Sequence, residues 1–251
     1  MVLIMEYDGT KYHGFQLQAS QPTVQGEIES ALLKLTGEKV RVLAASRTDT
    51  GVHAREQVVS LRTTSSLPEH AFVGGLNHYL PEDIAVKDAY RVSDAFNVRR
   101  NAFSREYHYL ILNRAARSPI RHRFAHHVPG RLDVAAMNEA CQCLIGKHDF
   151  ASFATALESQ TKSTVRRVHQ AEVTGDGDLV TFRIIANAFL PHQVRNTAGA
   201  LIRVGLGKMT ADEFRSILEA GKPGLAGPTA PACGLYLMRV NYPHSWEELR
   251  N

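Results

Sequence analysis

Val40-Arg41-Val42-Leu43-Ala44-Ala45-Ser46-Arg47-Thr48-Asp49-Thr50-Gly51-Val52-His53-Ala54-Arg55-Glu56-Gln57-Val58-Val59-Ser60-Leu61 falls into three parts by residue type. Residues 40–44 and 57–61 are short runs rich in β-branched side chains and read as strands, with residues 46–56 a polar loop between them. Upstream, residues 2–7 read as a strand. Pro22-Thr23 then opens a helix whose apolar face is Val24, Ile28, Ala31, Leu32 and Leu35, and Gly37 ends it. Downstream, Pro68 starts a second helix through Leu76, and residues 84–90 form another strand. The resulting order is β-α-β-β-α-β, an α+β arrangement of ferredoxin-like type in which helices cover one face of an antiparallel sheet.

The rest of the chain reads similarly. Residues 107–112 alternate as a strand, and a helix from Asp133 buries Met137, Ala140, Cys141 and Leu144. A hairpin is expected across Gly175-Asp176-Gly177, with Val180, Phe182, Ile184 and Ala186 on one face of its second strand. Helical patterns follow over residues 191–204 and 210–220. The second opens with the capping box Thr210-x-x-Glu213 and stops at Gly221, and residues 235–241 close as a strand. Two α/β domains are expected, 1–102 and 103–251, with a groove where they meet.

Composition narrows the function classes. With 251 residues, 44% of them hydrophobic and 22% charged, the chain has a globular rather than a disordered composition. No apolar run is long enough to span a bilayer, and residues 1–9 lack the basic region of a signal peptide, so a cytoplasmic protein without membrane contact is expected. Three cysteines do not make a disulfide framework, and Cys141-Gln142-Cys143 has no partner cluster for zinc. His126-His127, His148-Asp149 and His192 match no ligand spacing, so no metal site is expected.

The net charge of +4 selects no partner, but its distribution is uneven. Arg91, Arg99, Arg100, Arg105, Arg114, Arg117, Arg121, Arg123 and Arg131 crowd a stretch whose only acids are Asp94 and Glu106. Guanidinium forks suit phosphates and stack on exposed bases, which points to a nucleic acid with unpaired bases; a solvated face is the plainer reading.

The loop carries the chemistry. Asp49-Thr50-Gly51 spells the short signature of aspartic proteases, but their shared proton needs a second such loop. The chain has no second copy, although a homodimer would supply one as a dimeric aspartic protease does; against that reading, Arg47 would depress the carboxyl pKa that the proton sharing requires. Read in full, Arg47-Thr48-Asp49-x-Gly51-Val52-His53-Ala54 resembles the catalytic loop of the tRNA pseudouridine synthase A family. The resemblance continues in order along nearly the whole chain. It includes the Tyr7-Asp8-Gly9-Thr10-Lys11-Tyr12-His13-Gly14-Phe15-Gln16-Leu17-Gln18 segment, Thr23-Val24-Gln25-Gly26-Glu27, and Ser104-Arg105-Glu106-Tyr107-His108-Tyr109. It also includes Gly146-x-His148-Asp149-Phe150-x-Ser152-Phe153, residues 186–196 ending Val194-Arg195-Asn196, and residues 230–237. Phe15, Asn97-Val98 and Gln193 depart from residues common in that family.

The resemblance implies a synthase that converts uridine to pseudouridine in the anticodon stem and loop of tRNA, without cofactor, as a homodimer with two α/β domains flanking a central RNA-binding cleft. Asp49 is then the essential catalytic carboxylate. Arg195 would pair with it and orient it, Tyr107 would pack against the extruded base, and Arg47 and His53 are further substrate-binding candidates. A non-catalytic RNA-binding protein of the same fold is the alternative. It would be indifferent to Asp49→Asn.

Overall fold

The structure, a computed structural model, describes residues 1–154 and 163–249. Its elements begin with β1 (Val2–Tyr7), α1 (Val24–Thr36), β2 (Leu43–Ala44), β3 (His53–Ser60), α2 (Glu69–Tyr79) and β4 (Ile84–Tyr90), the β-α-β-β-α-β order read from the sequence. β1 lies between two antiparallel neighbours. It pairs with β3 from Val2↔Ser60 to Tyr7↔Ala54 and with β4 from Val2↔Tyr90 to Tyr7↔Ile84, which explains its near-continuous apolar run. In β4 a register shift opposite Ile4 and Met5 moves the buried set from Ile84 and Val86 to Ala89, so a bulge and not simple alternation sets its faces.

The boundaries of β2 and β3 differ from expectation. β2 is only Leu43–Ala44, paired to β3, because the backbone of Val42 is taken by α1: its N–H donates to Glu29 Oε1 at 3.1 Å and its carbonyl accepts from Gln25 Nε2 at 3.4 Å. β3 begins at His53 rather than Gln57, because pairing with β1 carries the strand through the polar residues. α1 is capped as its sequence predicts, by the Thr23 hydroxyl accepting from Gly26 N at 3.2 Å and by Gly37 in the left-handed region.

The chain forms two compact units. One comprises residues 1–105 and 237–251, the other residues 106–236, so the chain leaves the first inside β5 (Ser104–Asn113) and re-enters it inside β10 (Leu235–Asn241). After β5 the second unit holds β6 (His126–Val128), α3 (Val134–Cys141), β7 (Gly146–Asp149), β8 (Val165–Asp176), β9 (Leu179–Ala186), α4 (Gln193–Gly205) and α5 (Ala211–Ala220). The order β5-α3-β8-β9-α4 keeps the β-α-β-β-α sense of the first unit, with β6, β7 and α5 added. The architecture is therefore mixed α+β. β6 pairs parallel to β5 (Ile111↔His126), so the strands are not antiparallel throughout.

The β8–β9 hairpin closes at Asp176↔Leu179, which puts its two-residue turn at Gly177-Asp178, with Gly177 at φ 58°. Val180, Phe182, Ile184 and Ala186 are buried, as their alternation predicts. α4 starts at Gln193 rather than Pro191 because His192 sits in the left-handed region at φ 59°, outside helical geometry. α5 has both bonds of its capping box, Glu213 N to Thr210 Oγ1 at 3.1 Å and Thr210 N to Glu213 Oε2 at 2.7 Å. Among the described residues no helix is long and apolar enough to cross a membrane.

Candidate active site

In the first unit Asp49 occupies the first position of a turn closed by Val52 N donating to Asp49 O at 3.1 Å, with Gly51 at φ 78°. The loop hangs between β2 and β3 and is fixed from two sides. From the sheet side comes Gln57, which has no exposed surface. Its Oε1 accepts from Ser46 N at 3.3 Å and its Nε2 donates to Ser46 O at 2.8 Å and to the Tyr7 hydroxyl at 3.2 Å. The Tyr7 hydroxyl in turn lies 2.8 Å from Thr48 Oγ1, next to the carboxylate residue.

From the other side the segment 9–15 closes over the loop. Phe15 N donates to Thr48 O at 3.0 Å, and Gly51 N donates to Tyr12 O at 3.3 Å. The approach is so close that a Cβ on Gly9 would stand 2.0 Å from Val52 O, and one on Gly14, itself at φ 83°, would stand 2.8 Å from Thr48 O. The glycines of the Tyr7–Gln18 segment are thus required by contact with the Asp49 loop, a reason that the motif alone does not state. Asp83 holds the segment down: it accepts from the Tyr12 hydroxyl, and its other oxygen is 2.8 Å from Lys11 Nζ. Burial would raise the Asp83 pKa, but the Lys11 and Tyr12 bonds outweigh it and keep the carboxyl below its ordinary value.

Of the remaining candidates on this loop, Arg47 is exposed and His53 is only 2% exposed. His53 Nδ1 lies 3.2 Å from Gly9 N, within hydrogen-bond reach. An Asp8 carboxylate oxygen stands at the same 3.2 Å from Nδ1 and also accepts from Thr10 N at 2.9 Å. His53 thus clasps the start of the glycine segment to the start of β3.

The second unit presents Tyr107 and Arg195. Tyr107 is buried in β5 with its ring edge-on to Phe189 at 5.1 Å. Two residues along, Tyr109 donates its hydroxyl to Pro231 O at 2.8 Å, and burial pushes its pKa above the ordinary phenol range. Arg195 stands in the first turn of α4 with Nε donating to the adjacent carbonyl, Ala230 O, at 2.8 Å. Residues 230–231 therefore orient both side chains through consecutive backbone oxygens. The same turn is tied down by Asn196, whose Nδ2 donates to Phe153 O at 2.7 Å and whose Oδ1 accepts from Thr229 at 2.6 Å. Gln193 Oε1 accepts from Leu190 N at 2.8 Å, closing the loop that precedes it.

The segment 146–153 serves packing. Phe150 and Phe153 are fully buried, Phe153 against Phe214, and the Ser152 hydroxyl accepts from Lys222 N at 3.0 Å. Among the described residues no three His, Cys, Asp or Glu side chains converge as a metal ligand set. Residues that sequence reasoning missed are Gln57 and Asp83, which carry no motif signal and show their role only through partners distant in sequence.

Comparison with known proteins agrees with this arrangement of motifs. The family described as tRNA pseudouridine synthase matches residues 3–99 and 140–243. The chain is 44% identical over 240 residues to the tRNA pseudouridine synthase A of Pelobacter propionicus, covering 96% of this chain and 98% of that one. It is 41% identical over 242 residues to the protein of that name from Caldicellulosiruptor bescii, covering 96% and 99% of the two chains. It is also 41% identical over 251 residues to that from Legionella pneumophila, covering 100% and 95%. With motifs, spacing and full-length identity in accord, the chain belongs to the tRNA pseudouridine synthase family.

Proposed function

We propose that the protein isomerises uridine to pseudouridine in the anticodon stem and loop of tRNA, with Asp49 as its essential carboxylate. The observation that carries the reading is the Asp49 turn, clamped by Gln57, Tyr7 and the glycine segment within a chain that matches the family end to end. In the reaction the N1–C1′ bond breaks, a C5–C1′ bond forms, C5 gives up its proton and N1 gains one. A carboxylate serves either as nucleophile at C1′ or as base on the neighbouring ribose carbon, and both roles need it ionised and held still. Arg195 suits the task of pairing with Asp49, because its Nε bond to Ala230 fixes the guanidinium plane. Tyr107, braced by Phe189, offers a flat face for the extruded uracil.

On this reading Arg47 contacts the RNA, while His53, given its burial, acts by holding the loop. Two ferredoxin-like halves flank the RNA-binding cleft, the protein works as a homodimer, and it acts in the cytoplasm. The test is tritium release from tRNA bearing uridine labelled at C5, comparing the protein with Asp49→Ala. Release by the unaltered protein alone is expected. Release by both would remove Asp49 from the chemistry, and binding of tRNA without release would turn the reading to a non-catalytic RNA-binding protein.

A further inference from the structure

The chain enters the Asp49 loop through Ala44 and Ala45, and arginines hold both carbonyls. Arg99 Nε donates to Ala44 O at 2.8 Å, while Arg105 Nη2 reaches Ala45 O at 3.4 Å and Arg99 O at 2.9 Å. Arg47 lies on the loop itself, so three guanidiniums share one neighbourhood. The crowding is felt at Arg99, whose pKa is held below the ordinary arginine range by burial and then by Arg47 and Arg105. Elsewhere the chain pairs its clustered arginines: Arg183 has Glu106 and Glu172, and Arg114 and Arg121 share Asp178. Arg47 and Arg99 have no carboxylate partner among the described residues. Arginine does not relieve such repulsion by losing its proton, so Arg47 and Arg99 are suited to take an anion as ligand.

The two side chains are suited to different tasks. Arg99 is half-buried with Nε committed to a backbone carbonyl, so its plane is fixed and its two Nη groups are the donors left for a ligand. Arg47 is exposed, one residue from Thr48, which is bonded to Tyr7, and two from Asp49. We propose that Arg47 and Arg99 together grip a single RNA phosphodiester beside the nucleotide presented to Asp49, with Arg99 as the fixed arm. The grip sets where the target ribose lies relative to the carboxylate. This deepens the proposed function and rests on tRNA being the substrate.

The test measures affinity for an unmodified tRNA transcript against salt concentration, for the full-length protein and for Arg47→Gln, Arg99→Gln and the double variant. Each neutralised phosphate adds about 0.7 to 0.9 to the slope of log affinity against log salt. Each single variant is expected to flatten the slope by about one such step, with roughly 10-fold weaker binding at low salt. The double variant is expected to flatten it by the same single step, because one phosphate can be lost only once.

Unchanged slope in Arg47→Gln, an exposed position whose folding is not at stake, overturns the proposal. So does a two-step loss in the double variant, which would mean two separate phosphates. Inorganic phosphate competing with the RNA while all slopes stay equal would mark a free-anion site instead. Tritium release by the unaltered protein separates these outcomes from failure of the tRNA reading: release with unchanged slopes removes only the grip, and absence of release removes the reading on which it rests.

Discussion

Replacing Gln57 by leucine tests how the Asp49 loop is held. The amide makes three hydrogen bonds, two to the backbone of Ser46 and one to the Tyr7 hydroxyl, from a position with no exposed surface. Leucine has nearly the same volume and makes none of them. At about 1 kcal/mol for each net hydrogen bond the loss is about 3 kcal/mol, and burying leucine in place of an amide offsets about 1 kcal/mol of it. A net loss of about 2 kcal/mol corresponds to a fall in melting temperature of roughly 4 to 8 °C for a chain of this size.

The larger effect is expected on chemistry. Ser46 and Thr48 position the turn that carries Asp49, and a displacement of about 1 Å at a reacting group costs on the order of 100-fold in rate. Tritium release from labelled tRNA should therefore show kcat reduced by about 10-fold to 100-fold, with KM little changed. Tyr7→Phe removes the hydroxyl bonded to both Gln57 and Thr48 and, at about 1 kcal/mol for each bond, should cost about 2 kcal/mol. The double variant should cost less than the sum of the two, since both delete the same bond. A Gln57→Leu protein that melts several degrees lower yet turns over at the unaltered rate would refute the claim that this amide sets the catalytic geometry.

Three further predictions follow from the geometry. Gly9→Ala places a Cβ 2.0 Å from Val52 O, a backbone atom that cannot step aside, so a loss of about 3 kcal/mol or more is expected in denaturant titration; wild-type stability would show that the glycine segment is not in contact with the loop. Glu106 accepts from Arg183 Nε at 2.7 Å and pairs with His108 Nε2 at 2.9 Å; burial alone would raise its pKa, but these bonds bring it below the ordinary carboxylate value. The folded carboxylate thus binds fewer protons than the unfolded one in acid. Its contribution is complete above pH 4.5 and fades as pH falls through the depressed folded pKa, so the melting difference between the protein and Glu106→Gln should shrink along that descent and not in the alkaline range. Burial pushes the Cys141 thiol up to about 12 and raises Cys143 and Cys233 as well, so thiol reagents at about pH 8 should label the native protein slowly and all three cysteines after denaturation.

The local code of this chain was legible in its residues. Thr23 and Gly37 bound α1, Thr210 and Glu213 cap α5, and the alternation of Val180, Phe182, Ile184 and Ala186 gives the buried face of β9. These features depend on neighbours a few positions away, and short-range sterics and hydrogen bonding decide them. The family was legible too, because the motifs around Asp49 and Arg195 have residue types and spacing with few other uses.

What required tertiary structure was everything settled by partners distant in sequence. The late start of β2 comes from Glu29 and Gln25 capturing Val42, and the early start of β3 from pairing with β1. The support given by Gln57 depends on Ser46 and Tyr7, and that given by Asp83 on Lys11 and Tyr12. The crowding at Arg99 depends on Arg47, far from it along the chain. Packing of residues 237–249 with the first unit belongs to the same class. Sequence alone determined which residues carry charge and which residues cap α1 and α5. Only the folded chain decided which of those charges lack a counterion and which glycines face a backbone oxygen, because both are set by distances between segments that no local pattern encodes.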